Sequence, residues 1–213
     1  KQPEGFDIAM IKEIGKRMGK KVEIKNMEFK SLIGAMESDS INAIIAGMTK
    51  TEKREKAVDF SDSYYTTNQA IILKKDSKIT KLAQLDGKKI GVQEGTTGDL
   101  ISSGDKFGDG KKAKVLVKGA KVKRFKKGVD AVMDLKNGSV DAVVIDELTA
   151  NEFVKKNAKK LKLVIDSAGS EYYCIALTKG NTAYKEEVNK QIKAIKEDGT
   201  YDKLKAKYID SKN

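Results

Sequence analysis

Apolar residues at Phe6, Ile8, Ile11, Ile14 and Met18 recur at helical spacing and predict an amphipathic helix over 6–20. Val22-Glu23-Ile24 alternates and predicts a strand. Residues 31–36 read as a short helix, 42–46 as a buried strand ending at Gly47, and 51–56 as a polar helical turn. Val58-Asp59-Phe60 leads into a polar, tyrosine-bearing stretch, and a long strand follows at 69–74. Further strands are predicted at 89–93, 122–125, 142–145, 161–165 and 172–178. Between them lie a helical turn at 82–85, a helix entered through Glu94-Gly95-Thr96-Thr97-Gly98, and helices at 129–135 and 147–157. Two helices, at 183–195 and 201–208, end the chain. Strand alternating with helix implies an α/β fold with largely parallel sheets.

The pattern repeats weakly. "AMESDSINAIIAG" (35–47) aligns without gaps to "DLKNGSVDAVVID" (134–146): helix end, polar turn, then a short aliphatic strand. The repeat suggests two lobes of similar design. It puts Gly47 and Asp146 at matching places, just past the carboxyl ends of equivalent strands, where open parallel sheets bind ligands.

A chain of 213 residues has room for one large domain or two lobes with separate cores. The net charge of +12 comes almost wholly from lysine; arginine occurs only at Arg17, Arg54 and Arg124. Nucleic-acid binders use arginine and interleaved aromatics, so a lysine-rich solvated surface is the reading taken, with no nucleic acid as partner. The chain has no histidine, and Cys174 is the single cysteine, read as a small core residue of a strand. Histidine-based triads, zinc clusters and an internal disulfide are thereby excluded, and no metal or cofactor is expected. No apolar run approaches membrane-spanning length. The opening Lys1-Gln2-Pro3-Glu4-Gly5 carries no signal peptide, so any leader is expected to have been removed.

One arginine has a special setting. In "AGMTKTEKR" (46–54) a strand end is followed by Gly47, Thr49 and Arg54. A guanidinium grips a carboxylate through two parallel hydrogen bonds, which lysine cannot do. Across the matching strand end stand Asp146 and the turn Gly95-Thr96-Thr97 at a helix start, whose free N–H groups suit an anion. The Gly47 carbonyl, the Thr49 hydroxyl and Asp146 suit an ammonium group, which only donates. An anion site beside a cation site describes a receptor for a zwitterion such as a free α-amino acid. Each piece has a plainer reading: Arg54 as a paired surface residue, Asp146, Thr96 or Thr97 as helix caps, and Phe29 as core.

In order along the chain, "GFDIAMIKEIGKRMG", "NMEFKSLIGAMESDSINAIIAGMTKTEKREKAVDFSDSYYTTNQAIILKK", "LDGKKIGVQEGTTGDL", "GSVDAVVID" and "EYYCIALTKGN" resemble the extracellular solute-binding proteins of polar amino-acid ABC transporters, the bacterial family 3 type. The resemblance implies a two-lobed periplasmic-binding-protein type II fold that closes on its ligand like a flytrap. Lobe one would be 1–65 plus 173–213, lobe two 69–168, with hinge segments about 64–68 and 169–173. It further implies that Arg54 and the turn around Thr97 hold an α-carboxylate, that Gly47, Thr49 and Asp146 hold an α-ammonium, that Phe29 stacks on the ligand side chain and that Gln93 faces it. The implied partners are a polar amino acid, an ABC transporter permease and, through a removed N-terminal lipid anchor, the membrane. The implied location is periplasmic or extracellular. Arginine, lysine, histidine and glutamine lead as ligands.

Three departures from the family pattern follow. The first strand of lobe one, which precedes "GFD" in the family, is absent here, and exposed strand edges and a gap in the lobe-one core are expected. Residues 106–119 read as an inserted exposed loop or hairpin. Cys174 and Thr178 replace the Gly and Pro often seen in this strand. Two other functions share the fold: a dehydratase, for which Glu94 is the candidate acid–base group, and a sensory input domain.

Overall fold

The computed structural model describes residues 3–104 and 117–210, with backbone only at 166–169. The inserted loop read at 106–119 therefore lies, up to residue 116, outside the described residues. Helix α1 (Phe6–Arg17) buries Phe6, Met10, Ile11 and Ile14 and exposes its lysines, as its spacing requires. A 3₁₀ turn (Phe29–Ser31) leads into α2 (Leu32–Glu37) and the two-residue strand β1 (Ala43–Ile44). The single turn α3 (Glu52–Glu55) is capped by Thr51, whose hydroxyl accepts from the Arg54 N–H.

Strand β2 (Val58–Lys74) runs unbroken through a stretch that the sequence pattern divides in two. After it come a 3₁₀ turn (Leu82–Leu85), β3 (Lys89–Gln93), α4 (Thr97–Ser103), β4 (Lys121–Phe125), α5 (Gly128–Asn137), β5 (Ala142–Asp146) and α6 (Glu147–Lys155). Strand β6 (Leu161–Thr178) is likewise continuous where two strands are predicted, and α7 (Thr182–Glu197) and α8 (Thr200–Tyr208) follow.

One sheet results, in the order β1-β6-β2-β5-β3-β4. It corrects the expectation of a largely parallel sheet. Only β3 with β4 and β3 with β5 are parallel; β1 with β6, β2 with β5 and β2 with β6 are antiparallel. The reason is the pair β2 and β6, which passes through the whole molecule in opposite directions. Their ladder slips between Phe60 and Ser63, between Ser63 and Tyr65, and between Asn68 and Gln69. Such irregularities bend a strand and re-aim its side chains.

Apolar clusters lie on both faces at each end of the long strands. At one end, Phe6, Met10, Tyr64, Ile175 and Ile192 pack on one face, and Leu32, Ile44, Val58 and Cys174 on the other. At the far end, Ala70 and Ile72 face Leu135 and Val143, while Ile71 and Leu73 face Leu85 and Ile90. Burying each such aliphatic side chain contributes about 1.5–3 kcal/mol. Cys174 is buried and free, as a small core residue should be.

The predicted strand at 22–24 does not form. A strand needs a neighbour for its N–H and C=O groups, and none lies beside this segment among the described residues. Val22 and Ile24 instead face a groove of about 630 Å³ between α1 and β1. Gly15 permits the close approach, since a Cβ there would meet Val22 Cγ2 at 2.2 Å.

Candidate functional site

Phe29, Gly47, Thr49, Arg54, Gln93, Thr96, Thr97 and Asp146 all line one cavity of about 230 Å³. Tyr173 of β6 lies at its floor. Residues after β1 and α3 form one wall, and the ends of β3 and β5 with the start of α4 form the other. Glu4, Asp7, Leu148, Thr149 and Tyr173 also line it.

Arg54 is buried, unlike the surface arginine of the plainer reading. Nη1 donates to the Thr49 carbonyl at 2.5 Å and Nη2 reaches across the cavity to the Gly95 carbonyl at 3.0 Å. Its guanidinium lies 5.2 Å from the centre of the Phe29 ring, within cation–π range. Burial lowers the pKa of Arg54; the charges of Glu171 and Asp146 oppose the shift. The other two arginines brace the scaffold. Arg17 pairs with Glu13 and Asp198. Arg124 Nε binds both oxygens of Asp99, and Asp99 Oδ2 accepts the Gly95 N–H, which steadies the Gly95-Thr96-Thr97 turn.

Thr96 proves to be the cap of α4: its hydroxyl accepts from the Asp99 N–H and donates to the Gln93 carbonyl. Asp146 is not a side-chain cap of α6. Its Oδ2 accepts the Tyr173 hydroxyl at 2.6 Å and its Oδ1 accepts Gln69 Nε2 at 2.5 Å. Burial and then the charge of Glu171 push the Asp146 carboxyl up to about 7, although both hydrogen bonds and the charge of Arg54 oppose this. Among the described residues Gln93 reaches the Lys126 carbonyl, at 3.5 Å. Glu94 is tied to Lys30 at 2.6 Å, which lowers its pKa; a carboxylate held ionised is a poor general acid.

Four residues that hydrogen-bond to the candidates, Asp7, Tyr173, Gln69 and Glu171, are not themselves among the sequence candidates. Asp7, half-buried in the first turn of α1, accepts the Gly47 N–H at 2.7 Å and the Tyr64 hydroxyl at 2.9 Å. Burial raises its pKa, and the two hydrogen bonds counteract this. Tyr173, Gln69 and Glu171 complete the floor. Asp7 had a signal in "GFD", a carboxylate at a helix start. The other three sit singly in strands and carry no local pattern.

Gly47 is a glycine the site depends on. Its φ is +55° and a Cβ there would lie 3.1 Å from the Tyr173 ring. Gly47→Ala should therefore lose about 1–2 kcal/mol of stability from the left-handed backbone alone and displace the ring that holds Asp146. Gly34 has nothing within 4 Å of an added Cβ and sits within α2, so Gly34→Ala should be neutral or slightly stabilising. Urea denaturation of both variants checks the contrast; equal behaviour would remove the special role of Gly47.

The profile of the bacterial extracellular solute-binding proteins, family 3, matches residues 1–211. An arginine-binding extracellular protein, ArtP of Bacillus subtilis, is 34% identical over 208 residues, covering 96% of this chain and 77% of ArtP. The ABC transporter glutamine-binding protein GlnH of the same organism is 35% identical over 210 residues, covering 97% of this chain and 72% of GlnH. A solved structure of an ancestral arginine-binding protein bound to glutamine superposes with a TM-score of 0.86 at 42% identity, covering 97% of this chain and 88% of the other. No described helix is long and apolar enough to cross a membrane.

Proposed function

Because this chain belongs to the bacterial extracellular solute-binding proteins, family 3, we propose that it captures a free polar L-amino acid and presents it to the permease of an ABC transporter. The observation that carries the reading is one cavity with Arg54 on one wall and Asp146 on the other. At about 230 Å³ it is smaller than the ~300–1,000 Å³ of drug-sized sites and suits one amino acid. In this reading Arg54 and the N–H groups at the start of α4 hold the α-carboxylate. Asp146, the Gly47 carbonyl and the Thr49 hydroxyl hold the α-ammonium, while Phe29 and Gln93 meet the side chain. The halves 1–65 plus 173–213 and 69–168 would close by bending at about 64–68 and 169–173, where the β2–β6 ladder is irregular.

Arginine leads among arginine, lysine, histidine and glutamine. The cavity is lined by three carboxylates, Glu4, Asp7 and Asp146, against one guanidinium, so a ligand with a cationic side chain balances it best. A thermal-shift screen of the mature protein against the twenty amino acids tests this. Arginine should give the largest rise in Tm, growing with the logarithm of its free concentration. No shift with any amino acid would overturn the receptor reading; a shift with acidic amino acids alone would overturn the ranking.

A further inference from the structure

Glu171 is buried beneath the cavity and joins three elements that the cavity depends on. Its Oε2 accepts the Thr49 hydroxyl at 2.6 Å and the Thr97 hydroxyl at 2.8 Å; its Oε1 accepts Gln69 Nε2 at 2.7 Å. Thr49 follows β1, Thr97 opens α4 and Gln69 belongs to β2. An ionised carboxylate only accepts, and a hydroxyl has one proton to give. Both threonines therefore spend that proton on Glu171. Gln69 Nε2 lies 3.1 Å from the Thr97 hydroxyl and engages a lone pair there, so Thr49 keeps the larger share of lone pairs to offer the cavity.

The Gln69 amide bears on the same point. Its nitrogen lies within hydrogen-bond reach of Asp146, Glu171 and Thr97 and shares its two protons among them, while its own Oε1 is buried without a hydrogen-bond partner among the described residues. That orphaned oxygen lies against Gly98, where a Cβ would come within 3.1 Å of it. An unpaired buried carbonyl is unfavourable. Turning the amide over would set its oxygen against Glu171 Oε1, two acceptors facing each other. The floor is thus arranged around Glu171, which draws both threonine protons downward.

We propose that Glu171 is a positioning residue that sets the hydrogen-bond polarity of the cavity: by taking the Thr49 proton it turns that hydroxyl, beside Asp146 and the Gly47 carbonyl, into an acceptor reserved for the ligand's ammonium group. The inference rests on the amino-acid-receptor reading and deepens it. Recognition of the α-carboxylate then falls to Arg54 and backbone N–H groups, because neither threonine hydroxyl has a proton left to donate.

The test uses a pair of probes that differ only in the amino group: arginine and its desamino analogue, 5-guanidinopentanoate. Glutamine and its own desamino analogue replace them if the screen ranks glutamine first. Isothermal titration is run on wild type and Glu171→Gln, whose amide can donate to Thr49 and send the hydroxyl proton into the cavity. Glu171→Gln should weaken arginine by about tenfold or more, the scale of a hydrogen bond to a charged group, and leave the desamino analogue within about twofold. Equal weakening of both probes would mean a merely structural role and would overturn the inference, as would no change in either. Thr49→Val, which removes the acceptor and keeps Glu171, should show the same selective loss, and it decides the matter if Glu171→Gln does not fold. Failure of wild type to bind any amino acid is a separate outcome, and it sinks the receptor reading itself.

Discussion

Asp146→Asn weakens arginine binding by about 2–5 kcal/mol, the range for removing one partner of a buried hydrogen-bonded charge pair; in titration this is a loss of at least about thirtyfold. The neutral amide keeps its shape and a hydrogen-bond acceptor for Tyr173 or Gln69, so the loss isolates the charge. The same change alters how stability depends on pH, with a definite sign. The Asp146 carboxyl is raised from its ordinary 3.8 to about 7 by burial and by Glu171. Between those values the folded protein holds a proton that the unfolded chain has released. Unliganded stability therefore falls as pH rises from about 4 to about 7. Asparagine does not titrate, so the variant loses this part of the fall and gains on wild type at pH 8 relative to pH 5. Wild-type affinity for arginine follows the opposite course and drops as pH is lowered from 8 to 6, because a protonated carboxyl cannot pair with ammonium. Thermal denaturation and titration at these pH values check both arms. Undiminished binding by Asp146→Asn would remove the residue from the ammonium site.

Arg54→Lys should cost about 1.5–3 kcal/mol of binding. Lysine keeps the charge but not the planar fork, and three jobs depend on that fork. One nitrogen anchors to the Thr49 carbonyl, another crosses to the Gly95 carbonyl, and the guanidinium faces the Phe29 ring. A single ammonium cannot hold these and bind a carboxylate bidentately. Arg17→Lys is the control. Its partners Glu13 and Asp198 lie away from the cavity, where solvent screens an ion pair, so affinity should not move. Unchanged affinity in Arg54→Lys would exclude Arg54 from the carboxylate site.

Much of this molecule was legible along the chain. The type II periplasmic-binding fold implied by the resemblance is that of the structural relatives. The helices at both ends, the strand 89–93 and the turn at 94–98 follow from periodicity and cap chemistry. Arg54 stood out because lysine supplies charge elsewhere, and Asp146 because an internal repeat placed it opposite Gly47. Other features misled. Val22-Glu23-Ile24 alternates like a strand yet has no partner strand, and alternation reports a buried face rather than a ladder. The polar residues at 61–69 and 170–171 broke β2 and β6 into pieces on paper, since a polar residue in a strand ordinarily marks solvent.

The sequence alone determined the order of elements and the chemistry offered at the cavity. Both are local: helical period, caps, a forked cation and a lone carboxylate are properties of residues and their near neighbours. Only the tertiary structure decided that β2 and β6 run unbroken through one mixed sheet, and that Asp7, Gln69, Glu171 and Tyr173 stand beneath the candidate residues. Glu171 meets Gln69 across 102 residues and Thr49 across 122. A buried carboxylate is tolerated there because donors from three distant elements converge on it, and no stretch of sequence contains more than one of them.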